Sequence, residues 1–234
     1  MSGLIINNLK AGYSKPVFEN LNTKVPGKGL FTILGKNGSG KSTLLKCIAQ
    51  QLEYEGYIKW NDFDLGTLSV KKRADFITYL HQSSSVTLNI KVSELIVMGK
   101  FRQKSIFGDY DKADYQEVEH LLNQLGLIKY KDSYLQDLSG GEQQLIWICQ
   151  SLIQNTPIIL FDEPTTFLDL RNKRIVFDLI KSLTKEKLVV LVSHDIEYIG
   201  DLEGLFINLS HTEQVIENIS KDKLKEHRNI LEMA

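Results

Sequence analysis

The chain has 234 residues, a mass of 26.7 kDa, 42% hydrophobic residues, 24% charged residues and a net charge of −1. The near-zero charge argues against bulk electrostatic binding of nucleic acid, and no run of about 18 apolar residues predicts a membrane-spanning helix. The first ten residues lack the pattern of a secretory signal. Because Cys47 and Cys149 are the two cysteines and stand far apart, we expect reduced, buried thiols.

The start of the chain predicts an antiparallel sheet, because residues 4–10, 17–25 and 56–60 are short segments with Gly and Asn nearby. Between them, residues 30–34 form an apolar run typical of a buried strand. A helix is predicted from Lys41, where apolar residues recur with the spacing of one helix face. The alternation of apolar runs with helical patterns predicts an α/β fold with a parallel sheet.

Three helical patterns lie in the middle of the chain, at residues 92–99, 112–126 and 139–155. Two further apolar runs, 157–161 and 188–192, predict buried strands that end in polar residues. Ligands of open α/β sheets bind at the carboxyl ends of the strands, so we expect the functional site there. Residues 220–229 predict a charged surface helix that is exposed to solvent.

Residues 35–43 match the phosphate-binding pattern GxxxxGK[ST], which arises by chance in about 1% of chains of this length. Glycines let successive N–H groups face one anion, and the N-terminus of the following helix also attracts negative charge. The ammonium of Lys41 suits the β- and γ-phosphates, and the hydroxyl of Ser42 suits Mg²⁺. The alternative is an ordinary glycine turn. The predicted ATP-contacting residues of this loop are Gly35, Asn37, Gly38, Ser39, Gly40, Lys41, Ser42 and Thr43.

A pair of acidic residues follows the predicted strand at 157–161. The carboxylate of Asp162 is a candidate ligand of Mg²⁺, directly or through water. Its neighbour Glu163 is a candidate base that orients or deprotonates the water attacking the γ-phosphate. Taken alone, such a pair is more typical of a helix cap or a solvated turn, but a phosphate-binding loop in the same chain favours the catalytic interpretation.

The sequence Leu-Ser-Gly-Gly-Glu at 138–142 opens the predicted helix at 139–155. By itself it indicates a helix N-terminus capped by Ser139. The motif follows the phosphate-binding loop, and its Ser139 lies 23 residues before Asp162. In this order of motifs the chain resembles the ATP-binding-cassette (ABC) ATPases, and the resemblance extends over nearly the whole chain. The resemblance implies a P-loop NTPase core of the RecA-like type, with an antiparallel β subdomain and a helical subdomain that carries this signature. We therefore expect one domain, with residues 1–81 and 157–234 as the nucleotide-binding core and 82–156 as the helical subdomain.

The resemblance also implies roles for residues outside the loop. An aromatic residue of the family stacks on adenine, and Tyr13 matches it. Gln82 matches the glutamine that senses the metal and the γ-phosphate, Asp169 matches the D-loop aspartate, and His194 matches the switch histidine. The implied catalytic residues are Lys41, Gln82, Glu163 and His194. The implied metal ligands are Ser42, Gln82 and Asp162.

In the family, the signature of one copy of the chain contacts the ATP that is bound to the second copy. The resemblance thus implies an ATP-dependent, head-to-tail dimer in which Ser139, Gly140 and Gly141 contact the nucleotide of the opposite copy. One departure concerns the helix after the signature, where Gln143, Leu145 and Gln150 replace three arginines that the family commonly has. This change puts the ion pairs of that helix in question.

Residues 91–100 (KVSELIVMGK) and 162–173 (DEPTTFLDLRNK) resemble the ATPases of importers for iron-siderophores, haem and cobalamin. This implies membrane permease subunits as partners, indirectly a substrate-binding protein, and a peripheral location on the cytoplasmic face of the membrane. Aromatic residues mixed with basic ones are typical of interfaces, so Phe101, Ile106 and Phe107 predict a groove for a cytoplasmic permease helix.

Three alternative functions stay open. A soluble ABC ATPase, such as the type that serves iron–sulfur cluster assembly, would use the same motor on another partner. An importer for another substrate such as cobalamin is the next alternative, although the resemblance of residues 162–170 (DEPTTFLDL) points to an iron chelate, a siderophore or haem, more than to cobalamin. A P-loop kinase or regulator is the alternative from another class, although it has no need of the signature, Asp169 or His194. No nucleic-acid partner is expected.

Overall fold

The structure is a computed structural model that describes residues 3–81, 88–104, 108–210 and 215–232. Its strands are β1 (Gly3–Gly12), β2 (Pro16–Pro26), β3 (Gly29–Leu34), β4 (Glu55–Trp60), β5 (Phe63–Asp64), β6 (Ile77–Leu80), β7 (Ile158–Asp162), β8 (Leu188–Val192), β9 (Leu205–Asn208) and β10 (Ile216–Asn218). Its α-helices are α1 (Lys41–Ile48), α2 (Val70–Arg73), α3 (Val92–Val97), α4 (Lys112–Gln124), α5 (Gly140–Leu152), α6 (Leu170–Leu183), α7 (Ile196–Ile199) and α8 (Lys221–Glu232).

Two sheets organise the fold. The larger has the strand order β10-β9-β3-β8-β7-β6, in which β9, β3, β8, β7 and β6 run parallel and β10 pairs antiparallel with β9. The smaller sheet, β2-β1-β4-β5, is antiparallel throughout. The α/β class and the antiparallel β subdomain are therefore confirmed, and the sheet brings the carboxyl ends of β3, β7 and β8 to one edge.

The large sheet is buried on both faces, which explains why its central strands read as continuous apolar runs. In β3, Leu30 and Leu34 pack into a core shared with α3, α4 and α5, whereas Phe31 and Ile33 pack into a core shared with α1 and the small sheet. The two-residue period of a strand produces this division. Burying each such side chain contributes about 1.5–3 kcal/mol to the stability of the fold. The strands that carry the site are therefore held in place by both cores.

Several predicted boundaries differ in the structure. The helix predicted to run on from Lys41 ends at Ile48, because Gln50 adopts a φ of 59°, which a right-handed helix does not permit. The helix predicted at 92–99 is an α-helix to Val97 and continues as a 3₁₀-helix over Met98–Gln103. In it Gly99 lies against the helix α5, where an added Cβ would come within 2.5 Å of the Gln150 carbonyl.

The C-terminal part of the chain contains more packed structure than the sequence predicts. Strands β9 and β10 extend the large sheet, although the sequence did not predict them. The predicted charged, mildly amphipathic helix forms as α8, and its inner face packs into the main core through Leu224, which is 1% exposed. Within the described ranges, no helix combines the length and apolarity needed to cross a membrane.

Candidate functional site

The phosphate-binding loop connects the buried strand β3 to α1. Gly38 and Gly40 adopt φ values of 78° and 97°, a region that favours glycine. The loop curls around Lys41, whose Nζ donates hydrogen bonds to the carbonyls of Gly35 at 2.7 Å and Lys36 at 3.0 Å. Burial lowers the pKa of Lys41, against the opposing effect of the carboxylates of Glu163 and Asp162. The loop itself therefore holds the Lys41 ammonium, through two of its backbone carbonyls.

A second group of residues meets the loop from β7. Ser42 Oγ donates to Asp162 Oδ1 at 3.2 Å, and Tyr79 Oη donates to Asp162 Oδ2 at 3.0 Å. Burial, followed by the charge of Asp162, raises the pKa of Tyr79, which keeps the phenol protonated as a donor. The ring of His81 lies 3.8 Å from that of Tyr79, and burial lowers the pKa of His81.

Sequence reasoning missed Tyr79 and His81. The available signal was their position at the end of β6, on the same edge of the sheet as Asp162. The predicted metal ligand Gln82, which follows them, lies outside the described residues.

The donor set at this edge fits Mg²⁺, because the Ser42 hydroxyl and the Asp162 carboxylate supply hard oxygen atoms and hydrogen-bond to each other. The loop fits a polyanion equally well. Ser39 Oγ is buried and has no hydrogen-bond partner among the described residues, and Lys41 adds positive charge.

Glu163 and His194 form a pair at the ends of β7 and β8. The distance between Glu163 Oε1 and His194 Nε2 is 3.2 Å, and Thr166 Oγ1 donates to Glu163 Oε2 at 3.1 Å. Glu163 has a φ of 51°, unusual for a residue other than glycine, and its N–H donates to the Val192 carbonyl at 2.9 Å. This backbone conformation turns the Glu163 side chain away from that of Asp162, so the adjacent carboxylates face different partners.

Tyr13 lies at the surface, with 68% of its area exposed, and its hydroxyl accepts a hydrogen bond from Lys46 Nζ of α1 at 3.0 Å. An open aromatic face beside the phosphate-binding helix is available for stacking against a flat ligand.

The signature forms the N-terminus of α5. Ser139 is the N-cap, its hydroxyl and backbone N–H both donate to Glu142 Oε2, and Tyr130 donates to Oε1 of the same carboxylate. The hydrogen bonds from Tyr130 and Ser139 lower the pKa of Glu142. The signature is thus an ordered capping box whose hydroxyl is already engaged within its own chain.

One hydrogen bond and close packing join the signature helix α5 to the segment after Glu163. Gln144 Nε2 donates to the Pro164 carbonyl at 3.1 Å, and an added Cβ on Gly141 would lie 3.3 Å from the Phe167 carbonyl oxygen. Asp169 caps α6 by accepting from the Asn172 N–H at 2.7 Å.

Amide and apolar contacts occupy the positions where the family commonly has arginine. Gln143 Nε2 donates to the Leu138 carbonyl at 3.1 Å, and Leu145 is 2% exposed in the core.

Taken together, the strand–loop–helix, the Asp162–Glu163 pair and the signature helix define a P-loop ATPase of the cassette type. Residues 18–166 match the ABC transporter family, and the chain belongs to this family, as one of its ATP-binding subunits. The ABC ATPase prediction is confirmed.

Curated relatives agree with this assignment. The chain is 38% identical over 197 residues, covering 82% of itself and 77% of the relative, to a probable iron chelatin transport ATP-binding protein of Helicobacter pylori strain 26695. It is 32% identical over 213 residues, covering 89% and 79%, to an iron(3+)-hydroxamate import ATP-binding protein of Bacillus subtilis.

A solved structure resembles the fold closely. A dimeric ATP-binding cassette in a post-hydrolysis state, bound to ADP and phosphate, superimposes with a TM-score of 0.79 at 25% identity and covers 92% of this chain and 98% of its own.

Proposed function

We propose that the chain is the ATP-hydrolysing subunit of an importer that moves an iron chelate through a separate membrane permease. The observation that carries the ATPase part is the meeting of Lys41, Ser42 and Asp162 at one edge of the sheet, with the Glu163–His194 pair beside them. The similarity to relatives that serve iron chelatin and iron(3+)-hydroxamate transport supports the substrate class.

In the proposed mechanism the loop binds the phosphates of ATP through its N–H groups and the Lys41 ammonium, while Tyr13 stacks on the adenine. Ser42, Asp162 and Gln82 hold Mg²⁺ or its water ligands, and the remaining loop residues Asn37, Ser39 and Thr43 line the phosphates. When bound, the metal neutralises charge on the β- and γ-phosphates. Because phosphoryl transfer needs mainly positioning and charge neutralisation, this arrangement supplies what the reaction requires.

Glu163 orients or deprotonates the attacking water, and His194 contacts the γ-phosphate. Their polar contact at 3.2 Å orients the glutamate before ATP arrives. Tyr79 steadies Asp162 by occupying its second oxygen, which leaves Oδ1 for the metal side of the site.

A second copy completes each site in this proposal. Ser139, Gly140 and Gly141 of one copy cap ATP on the other, and Asp169 lies at the same interface. The hydroxyl of Ser139 now donates to Glu142, so it rotates toward the γ-phosphate when the dimer closes. Residues 82–156 act as the helical subdomain that carries this signature against the core formed by 1–81 and 157–234.

Hydrolysis cleaves the γ-phosphate from ATP, and release of this phosphate removes the negative charge that the two helix N-termini share, so the dimer opens and drives the permease. In this proposal the subunit works peripherally on the cytoplasmic face of the membrane, and its indirect partner is a substrate-binding protein that delivers the chelate to the permease.

The test is uptake of ⁵⁵Fe bound to a hydroxamate siderophore by cells that contain the chain, its permease and its binding protein. Uptake should require ATP and should be lost in Glu163→Gln cells, while ⁵⁷Co-cobalamin uptake is absent. Cobalamin uptake without iron uptake would overturn the substrate class. Uptake of both chelates unchanged by Glu163→Gln would overturn the proposed role of this chain.

A further inference from the structure

The phosphate-binding loop is connected to the C-terminal helix by a continuous set of hydrogen bonds. The backbone N–H of Lys36 donates to Ser210 Oγ at 2.7 Å, and the carbonyl of Lys36 accepts from Lys41 Nζ at 3.0 Å. The backbone of Lys36 is therefore held from both sides, by a serine that follows β9 and by the ammonium of the loop lysine.

Ser210 adds one more hydrogen bond beyond the last backbone pairing between β3 and β9. The Leu209 N–H donates to the Leu34 carbonyl at 2.9 Å, and the Ser210 hydroxyl then receives the next N–H of the loop, that of Lys36. A side-chain oxygen thus takes the place of a backbone carbonyl at the point where the loop leaves the sheet. Removing this hydroxyl would leave the Lys36 N–H without its acceptor, which costs more than the bond itself contributes.

The orientation of Ser210 depends on Asn208, which is 3% exposed. The Ser210 N–H donates to Asn208 Oδ1 at 2.9 Å, and Asn208 Nδ2 lies 2.9 Å from His227 Nδ1 of α8. An amide nitrogen can only donate, so His227 Nδ1 accepts and its ring proton lies on Nε2. The hydrogen bonds from His227 through Asn208 and Ser210 to Lys36 are then all formed between one donor and one acceptor.

His227 is itself enclosed. Its Nε2 lies 3.2 Å from Glu217 Oε1 of β10, and Glu217 Oε2 pairs with Lys223 at 2.7 Å. The edge of the ring meets Phe206, with the centroids 5.0 Å apart, and Leu224 anchors the helix one turn earlier. The imidazole is thus fixed by polar and apolar neighbours on β9, β10 and its own helix.

We propose that His227, Asn208 and Ser210 are positioning residues for ATP binding, which act through Lys36 to hold Lys41 and the loop in the phosphate-binding conformation. This inference rests on the proposed function, because it requires the loop to be the ATP site. A loop held in its bound conformation loses less conformational freedom when ATP binds, which raises affinity. The effect should therefore fall on ATP binding more than on the chemical step.

The test measures KM for ATP, kcat and thermal stability of the full-length chain at saturating Mg²⁺. Ser210→Ala should raise KM roughly threefold to tenfold, the range that one hydrogen bond supports, with kcat within about twofold. Ser210→Thr keeps the hydroxyl and should restore KM. The matched control is Lys225→Ala, which changes an exposed residue of the same helix and should leave both constants unchanged.

The dependence of one residue on the next is tested by a double-mutant cycle. His227→Ala should raise KM by a smaller factor than Ser210→Ala, and the double variant should be no worse than Ser210→Ala alone, because both changes interrupt the same series. His227→Gln should rescue, since its amide oxygen can accept from Asn208. Additive effects, or lower thermal stability with unchanged KM, would overturn the proposal.

A Lys41→Ala variant, measured alongside, separates failure of this proposal from failure of the ATPase assignment. If Lys41→Ala abolishes hydrolysis but the His227 and Ser210 variants keep the original KM, the positioning role alone is wrong. If Ser210→Ala does not fold, the His227 variants decide the outcome, because a His227→Ala chain with unchanged KM overturns the inference.

Discussion

Glu163 Oε1 and His194 Nε2 lie 3.2 Å apart, so the two predicted catalytic side chains are in direct polar contact although 31 residues separate them. Parallel pairing between β7 and β8 produces this contact, because Asp162 is in register with Val192. The carboxylate is therefore oriented by the protein itself, and its removal should affect hydrolysis more than nucleotide binding.

Glu163→Gln should nearly abolish ATP hydrolysis while ATP still binds, because the change keeps the shape of the side chain and removes the base. Unhydrolysed ATP should then hold two copies together. Size-exclusion chromatography should show a dimer with ATP and a monomer without it. A chain that stays monomeric in both conditions would contradict a site shared between two copies.

A mixing experiment tests whether the signature acts on the opposite copy. Ser139→Arg removes the N-cap and introduces a bulky cation, so it should disable the nucleotide site of its partner but not the loop of its own chain. A heterodimer of Ser139→Arg with Lys41→Ala should retain one functional composite site and up to about half the activity per dimer, with each variant inactive alone. A fully inactive heterodimer would argue that the signature serves its own chain.

Lys41→Ala should lower ATP hydrolysis by at least about a hundredfold, because the buried ammonium supplies charge stabilisation in a site of low dielectric constant. The fold should persist, which circular dichroism can check. Lys225→Ala is the control, since Lys225 is an exposed residue of α8 and belongs neither to the loop nor to its helix. Normal hydrolysis by the Lys41→Ala chain would disprove the assignment of the phosphate site.

Phe101→Asp should disrupt co-purification with the permease and transport, yet leave ATP binding intact. Phe101 is 68% exposed and Met98, three residues earlier, is 50% exposed, so they form an apolar surface on the 3₁₀-helix. Ile106 and Phe107 of the same predicted groove lie outside the described residues. Val215→Asp is the control, because Val215 is 59% exposed before β10, at the opposite edge of the sheet. Unimpaired transport by Phe101→Asp would move the docking surface elsewhere.

Asp114→Asn should destabilise the helical region that carries Phe101. Lys100 is 4% exposed and pairs with Asp114 at 2.9 Å and Glu117 at 2.7 Å, while Lys104 also pairs with Asp114. Breaking a buried ion pair by removing one partner costs about 3–5 kcal/mol. Urea unfolding at pH 7 should report a loss toward the lower end, because Glu117 remains as a partner.

The same residue predicts a dependence on pH. Burial of Asp114 opposes its ionisation, but the hydrogen bonds from Lys104 and Lys100 outweigh this, and its folded-state pKa lies below the ordinary value. A depressed carboxyl pKa stabilises the fold above the unfolded-state pKa of about 3.9, and the stabilisation is lost as the pH falls below it. Between pH 5 and pH 3 the free energy of unfolding should fall more steeply in the natural chain than in Asp114→Asn. Parallel curves would contradict the role of this cluster.

The chemistry of the loop and the order of the motifs can be predicted from the amino-acid sequence alone. Local rules act there: an apolar strand, glycines with positive φ, and a helix that begins at Lys41 all depend on neighbouring residues. The same applies to Ser139, whose capping box with Glu142 needs a spacing of three residues. These features follow from short-range sterics and hydrogen bonding, which a linear sequence contains in full.

Contacts between residues distant in the sequence are evident only from the folded chain. Tyr79 reaches Asp162 because β6 pairs with β7, and Ser210 reaches Lys36 because β9, a short strand without a distinctive pattern, lies beside β3. Likewise α8 reads as a solvated helix, and its inner face became evident only from what packs against Leu224 and His227. Strand order and helix docking depend on the summed burial of the whole chain, so no local pattern in the sequence specifies those contacts.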